Sequence, residues 1–113
     1  MINLSINFRA GFLGLAVLFS CPFAMAEPEA LLVIKNNRFE PTELKVPAGQ
    51  RIKLTVHNQD ATPEEFESHK LNREKVIVPG SKAVLFIGPL KPGSYPFWGE
   101  YHEATAKGVV IAE

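Results

Sequence analysis

The sequence predicts an all-β fold, an antiparallel sandwich of about seven short strands. Apolar and polar residues alternate with a period of two along several short segments, as they do in half-buried strands. Proline and glycine turns separate these segments at intervals of roughly 8–14 residues. No segment of helical length shows the helical period. The 113 residues, of which 46% are hydrophobic, suit a single globular domain.

The individual strands follow from this alternation and from the turns between them. The clearest strand is 51–57, whose apolar residues all lie on one face. Turns are marked by Pro47-Ala48-Gly49, Pro79-Gly80 and Lys91-Pro92-Gly93. In chain order, the predicted strands are 31–35, 43–46, 51–57, 76–78, 83–87, 95–97 and 107–112. Residues 68–75 are predicted to hold a helical turn.

Residues 1–26 are predicted to be a secretory signal peptide. Residues 10–19 form an apolar run, Arg9 is the only charge in the segment, and Ala24-Met25-Ala26 is a small-x-small cleavage site. The apolar run is shorter than the roughly 20 residues that cross a membrane. We therefore expect the domain, residues 27–113, to lie in the periplasm and not to span the membrane after cleavage behind Ala26.

This cleavage also decides which metal ligands are available. The single Cys and both Met lie in the leader, so the domain has no thiol, disulfide or thioether. The alternative, lipoprotein processing at Cys21, is disfavoured because the bulky Phe19 stands close before it. The 12 basic and 12 acidic residues of the chain balance, which argues against a nucleic-acid partner.

Two acidic stretches that also contain histidine are the candidates for chemistry. They are residues 63–69 (PEEFESH) and 99–103 (GEYHE). If the first is a strand and Phe66 faces the core, Glu64 and Ser68 share its side. The residues on the opposite side are then Glu65, Glu67 and His69.

Together the two stretches have the composition of a metal site. Carboxylates and imidazoles suit a hard or borderline divalent ion, and they make its binding pH-dependent. The candidate ligands are Glu64, Glu65, Glu67, His69, Glu100 and His102. The alternative is a plain solvated acidic face, because spacing alone does not bring the two stretches together. The sequence contains no hydrolase nucleophile, phosphate-loop or zinc-protease motif.

Three further features receive structural interpretations. His57 alternates with core positions and is therefore expected on the outer face of its strand. Trp98 is out of phase with Phe97, so it either lies partly exposed near the second acidic stretch or covers an edge of the core. Residues 73–75 (REK) are interpreted as a solvated run of charges.

Several segments carry a family resemblance. They are Phe39-Glu40-Pro41, Val46-Pro47-Ala48-Gly49, Val56-His57-Asn58 and residues 88–97 (GPLKPGSYPF), followed by a His and by Lys107-Gly108. Together they look like a cupredoxin over essentially all of residues 30–113. The resemblance implies a Greek-key β-sandwich with metal ligands gathered at one end. In that family the ligands are a His that opens a strand, followed by a Cys, a second His and a Met.

This sequence departs from the cupredoxin pattern at three of the four ligands. Glu64 or Glu65 takes the place of the first His, Gly99 that of the Cys, and Ala106 that of the Met. His102 matches the second His. Without the thiolate, a blue-copper centre and a simple electron carrier are both excluded.

The acidic replacement pattern has a resemblance of its own. The strings EEFESHKLNREKVIVPG and GEYHEATAKG are similar to small periplasmic cupredoxin-like proteins that accompany bacterial ferrous-iron permeases, and more distantly to EfeO-type iron-uptake proteins. The resemblance implies a copper or iron ion at a Glu/His site, a role in iron oxidation or delivery, and an iron-transport partner. The alternative is a metal-free protein-interaction module anchored by Trp98 or Tyr101.

Overall fold

The computed structural model describes residues 26–113, and they form the predicted all-β sandwich. Of the predicted signal peptide, only Ala26 falls within the described residues. The strands are β1 (Glu29–Lys35), β2 (Arg38–Glu40), β3 (Glu43–Val46), β4 (Ile52–Asn58), β5 (Glu64–Ser68), β6 (Arg73–Ile77), β7 (Lys82–Ile87), β8 (Gly93–Gly99) and β9 (Lys107–Ala112). A 3₁₀ helix, Glu100–His102, follows β8. Residues 26–113 contain nine strands rather than about seven, because β2 and β5 add to those predicted.

The strands are arranged in two sheets. One has the order β2-β1-β4-β7 and the other β3-β9-β8-β5-β6. β1 runs parallel to β4 and β3 runs parallel to β9, whereas the other pairs are antiparallel. The sandwich is therefore mixed rather than wholly antiparallel, because the chain crosses to the second sheet at β3 and returns to the first at β4.

Three phenylalanines at the centre of the core join the two sheets. The rings of Phe66 on β5 and Phe97 on β8 stack at 5.2 Å between centroids, and Phe39 on β2 meets Phe97 edge-on at 5.0 Å. All three side chains are buried. Offset and edge-on pairs are the favoured geometries of aromatic rings. This packing fixes the inward face of β5 and so the direction of its other side chains.

The link between β5 and β6 is a single hydrogen-bonded turn over residues 69–72, shorter than the predicted helical turn of residues 68–75: the N–H of Asn72 donates to the carbonyl of His69 at 3.0 Å. Asn72 has a φ of 56°, a left-handed conformation that Asn tolerates and that ends any helical path. The hydroxyl of Ser68 donates to the carbonyl of Pro96 and accepts the N–H of Leu71. Because the turn closes early, β6 begins at Arg73, three residues before the predicted strand. Within residues 26–113, no helix is long and apolar enough to cross a membrane.

Candidate metal centre

The strand β5 separates the first acidic stretch into two faces. Glu64, Phe66 and Ser68 are buried on the core side. Glu65 and Glu67 point to the outer side and are partly exposed. The predicted alternation is therefore confirmed, and the two faces of β5 carry two separate groups of candidate ligands.

On the core side, the carboxylate of Glu64 is bonded to the second acidic stretch. Its Oε2 lies 2.6 Å from Nδ1 of His102, and its Oε1 accepts the backbone N–H groups of Tyr101 at 2.9 Å and of Glu65 at 3.0 Å. The residue is only 1% exposed. Three donors thus compensate the desolvation of a buried carboxylate, and they fasten the 3₁₀ helix to β5.

Gly99 leaves the space that the Glu64 carboxylate occupies. A Cβ at position 99 would stand 2.5 Å from Cδ of Glu64 and 2.8 Å from Cβ of Ala106, closer than real Cβ contacts come. Positions 64, 99, 102 and 106 therefore converge at one end of the sandwich. The last three are positions that the resemblance matched to cupredoxin ligands, and Glu64 is one of the two glutamates that it matched to the first His.

The residues at this end do not fit a blue-copper centre. Gly99 offers no side chain and Ala106 only a methyl group, and residues 26–113 contain neither Cys nor Met. Both carboxylate oxygens of Glu64 already accept hydrogen bonds. The donor set lacks the thiolate on which blue-copper chemistry depends.

On the outer face, three carboxylates lie close enough to hold one ion. Glu65, Glu67 and Glu74 can each contribute one oxygen, and these three oxygens lie within 4.8 Å of one another. The hairpin of β5 and β6 causes this, since its register sets Glu67 directly opposite Glu74. Side chains at directly opposite positions have Cβ atoms about 4.5–5.5 Å apart.

The electrostatics of this outer cluster favour a cation. Oε2 of Glu67 is buried and has no hydrogen-bond partner among the described residues. Burial, followed by the negative charge of Glu74, raises the pKa of both Glu65 and Glu67 above the usual value, and Glu100 adds to both shifts. The ionised carboxylates therefore repel one another, and a bound cation would remove that repulsion.

An aromatic and a histidine border the outer cluster. Trp98 is the cross-strand neighbour of Glu67, and its indole N–H donates to Oε2 of Glu100 at 2.7 Å. The ring of His69 meets Trp98 edge-on at 4.9 Å, and its Nε2 lies 3.6 Å from Oε1 of Glu67. Trp98 is half-buried beside the outer cluster. This agrees with the first of its two predicted positions, partly exposed near the second acidic stretch.

The six candidate ligands thus belong to two places and not to one. Glu64 and His102 form the inner pair, while Glu65, Glu67, His69 and Glu100 lie on or beside the outer cluster. Glu74 was not among the predicted ligands, because in the sequence it belongs to a run of charges that was interpreted as solvated. Glu74 is indeed exposed, but it faces the cluster. His57 lies on the outer face of the other sheet, as predicted.

Comparison with known proteins identifies the family. The profile of the cupredoxin-like domain matches residues 9–112. The chain belongs to the cupredoxin-like family. It is 43% identical over 83 residues to the uncharacterized protein RP394 of Rickettsia prowazekii, an alignment that covers 74% of this chain. The chain spans 66% of the length of that relative.

Solved cupredoxins share the fold at low identity. Auracyanin A, a "blue" copper protein from Chloroflexus aurantiacus, has a TM-score of 0.68 and 14% identity, over 78% of this chain and 100% of its own. Amicyanin from Paracoccus versutus has a TM-score of 0.60 and 18% identity, over 80% and 85%. A purple cupredoxin from Nitrosopumilus maritimus has a TM-score of 0.60 and 19% identity, over 74% and 99%. At these identities the likeness concerns the fold alone.

Proposed function

We propose that this chain is a periplasmic metal-binding cupredoxin that holds a copper or iron ion on its outer acidic cluster. The supporting observation is the convergence of Glu65, Glu67 and Glu74, with one buried oxygen left unpartnered. Carboxylate oxygens with an imidazole nearby suit Cu(II), Fe(II) and Fe(III) better than Cu(I), which prefers sulfur. Because its ligands are partly exposed, the site suits an ion that is bound at the protein surface and exchanged.

The cellular role that we propose is accessory to ferrous-iron uptake. The acidic strings of this chain resemble those of periplasmic cupredoxins that accompany ferrous-iron permeases, and the cluster lies on an accessible sheet face. In this role the protein presents the ion, for oxidation or for delivery, to an iron-transport partner in the periplasm or membrane. The predicted signal peptide is consistent with that location.

The experiment is a metal titration followed by the fluorescence of Trp98, the only tryptophan in the chain. Cu(II), Fe(II) under anaerobic conditions, and ferric citrate are each added to residues 27–113, which include every core residue of the part that the structure describes. Quenching that saturates at one equivalent is expected, because Trp98 borders the cluster. The ion with the lowest Kd identifies the preferred metal.

Matched variants locate the site. Glu67→Gln removes the central carboxylate with little change of shape, and its affinity should fall by more than the roughly 10–100-fold that loss of an outer-shell partner costs. Glu43→Gln changes an exposed carboxylate on β3, at the opposite edge of the same sheet, and should bind as the wild type does. Equal loss in both variants, or no binding by the wild type, contradicts the proposal. The absence of binding would favour the metal-free interaction module.

A further inference from the structure

Trp98 carries the only indole group of the chain and links the second acidic stretch to the outer cluster. We propose that Trp98 is a positioning residue: its N–H holds the carboxylate of Glu100 beside the outer cluster, where this further negative charge favours a trivalent ion over a divalent one. The inference rests on the proposed metal-binding function, and it names the class of ion as ferric rather than ferrous.

The pairing of the strands brings Glu100 next to the outer cluster. The register of β5 and β8 sets Glu67 directly opposite Trp98. The same register, continued by two residues, brings Glu100, the first residue after β8, beside Glu65. After burial and the charge of a neighbouring carboxylate, Glu100 adds to the rise in the pKa of both Glu65 and Glu67. Its charge therefore acts on two of the three carboxylates in the cluster.

The hydrogen bond from Trp98 keeps Glu100 in a place that repels it. Among residues 26–113, no Lys, Arg or His forms an ion pair with Glu100. Repulsion from the cluster drives its side chain toward solvent, and the bond of 2.7 Å between Nε1 of Trp98 and Oε2 of Glu100 opposes that movement. The ring of His69 meets the indole edge-on at 4.9 Å and restricts its plane. A bound cation removes the repulsion that this bond maintains.

The effect of Glu100 depends on the charge of the ion. Glu100 lies outside the group of three carboxylates that can hold one ion, so it contributes charge rather than a bond to the metal. Coulomb energy is proportional to the product of the two charges, and affinity depends exponentially on energy. A loss of about tenfold in affinity for Fe(II) therefore corresponds to a loss of about 30-fold for Fe(III).

Two variants remove either the charge or the group that holds it. Glu100→Gln keeps an oxygen that accepts the indole N–H but carries no charge. Trp98→Phe keeps an aromatic ring on β8 but removes the N–H donor. Each variant should weaken Fe(II) binding by about tenfold, the lower end of the range for an outer-shell partner, and Fe(III) binding by about 30-fold. The double variant should bind no more weakly than the weaker single variant, because both changes act through one charge.

The test is equilibrium dialysis of residues 27–113 against Fe(II) without oxygen and against ferric citrate, because Trp98→Phe removes the fluorophore. The control is Glu103→Gln, whose charge is not among those that raise the pKa of the cluster, and it should bind as the wild type does. If Trp98→Phe weakens binding equally with and without Glu100→Gln, the indole acts by packing alone and the inference is overturned. Equal losses for Fe(II) and Fe(III) would also overturn it.

A metal-free measurement separates this inference from the proposed function. Because the chain has one tryptophan, the ¹H–¹⁵N NMR spectrum of residues 27–113 contains a single indole N–H signal. Glu100→Ala removes the acceptor, so it should move this signal upfield and speed its exchange with solvent, whereas Glu103→Ala should leave it unchanged. An indole signal that ignores Glu100→Ala overturns the inference even if iron binds. If the wild type binds neither iron nor copper, the proposed function fails, and the indole signal still decides whether Trp98 holds Glu100.

Discussion

The close contact between position 99 and the carboxylate of Glu64 leads to a specific prediction about the stability of the fold. Gly99→Ala places a methyl group 2.5 Å from Cδ of Glu64, so either the methyl group or the carboxylate must move. Overpacking costs about 1–3 kcal/mol, and weakening one charged hydrogen bond of Glu64 adds about 1.5–3 kcal/mol. We expect a loss of roughly 3 kcal/mol, which lowers the Tm of a domain of this size by about 12–24 °C.

The assay is urea unfolding of residues 27–113, with a double-mutant cycle as control. Glu64→Ala is destabilising on its own, because it leaves His102 and two backbone donors without their acceptor. It also removes the carboxylate beside position 99, so Gly99→Ala should cost less in that background, where the contact with Cβ of Ala106 at 2.8 Å remains. A coupling of about 2 kcal/mol is expected, within the range for residues in contact. A cost below about 0.5 kcal/mol for Gly99→Ala, or the same cost in both backgrounds, would show that the methyl group and the carboxylate do not compete for this space.

Three further predictions concern pH and the turn after β5. Because the folded-state pKa values of Glu65 and Glu67 lie above the ordinary 4.5, the metal-free protein should gain stability as pH falls from 7 toward 5, and Glu67→Gln should flatten this dependence of Tm on pH. A Tm that falls equally in both proteins contradicts the assignment. For the same reason protons compete with metal, so the affinity measured by titration should decrease over that pH range, and a pH-independent Kd would exclude these carboxylates as ligands. Ser68→Ala leaves the carbonyl of Pro96 and the N–H of Leu71 without a partner and should cost about 1–3 kcal/mol in urea unfolding; a neutral effect would mean that water replaces the hydroxyl.

The sequence predicted the directions of side chains well, because the period of a strand is exact. Once Phe66 is taken as a core residue, Glu64 must point inward, and Glu65 and Glu67 must point outward. The structure confirms all three directions. The same rule placed His57 on the outer face of β4. These predictions needed only the local alternation of apolar and polar residues.

The local sequence pattern could not predict that Glu74 joins the outer cluster, because this depends on the register between two strands. Glu74 joins Glu67 only because the turn at Asn72 closes after four residues and sets the register of the hairpin. A shift of one residue would move Glu74 to the other face of β6. Sequence spacing showed a run of charges there, and the run gave no sign of its register.

The separation of the two histidines had a similar cause. His69 follows the outer residue sequence of β5 and lies beside Glu67, whereas His102 ends a 3₁₀ helix and turns inward to Glu64. Their positions depend on packing around Gly99, whose missing side chain admits the carboxylate. The sequence identified both histidines as candidate ligands, but it did not show that one lies beside the outer cluster and the other in the inner pair.

The position of the bound ion can be located directly by NMR. Substoichiometric Cu(II) is added to ¹⁵N-labelled residues 27–113, and the amide signals that broaden first mark the residues nearest the metal. An ion on the outer cluster should make the amide signals of Glu65, Glu67 and Glu74 disappear first, while those of Glu43 and His57 persist. Broadening centred on His57, or no selective broadening at all, would contradict a metal site on the outer acidic cluster.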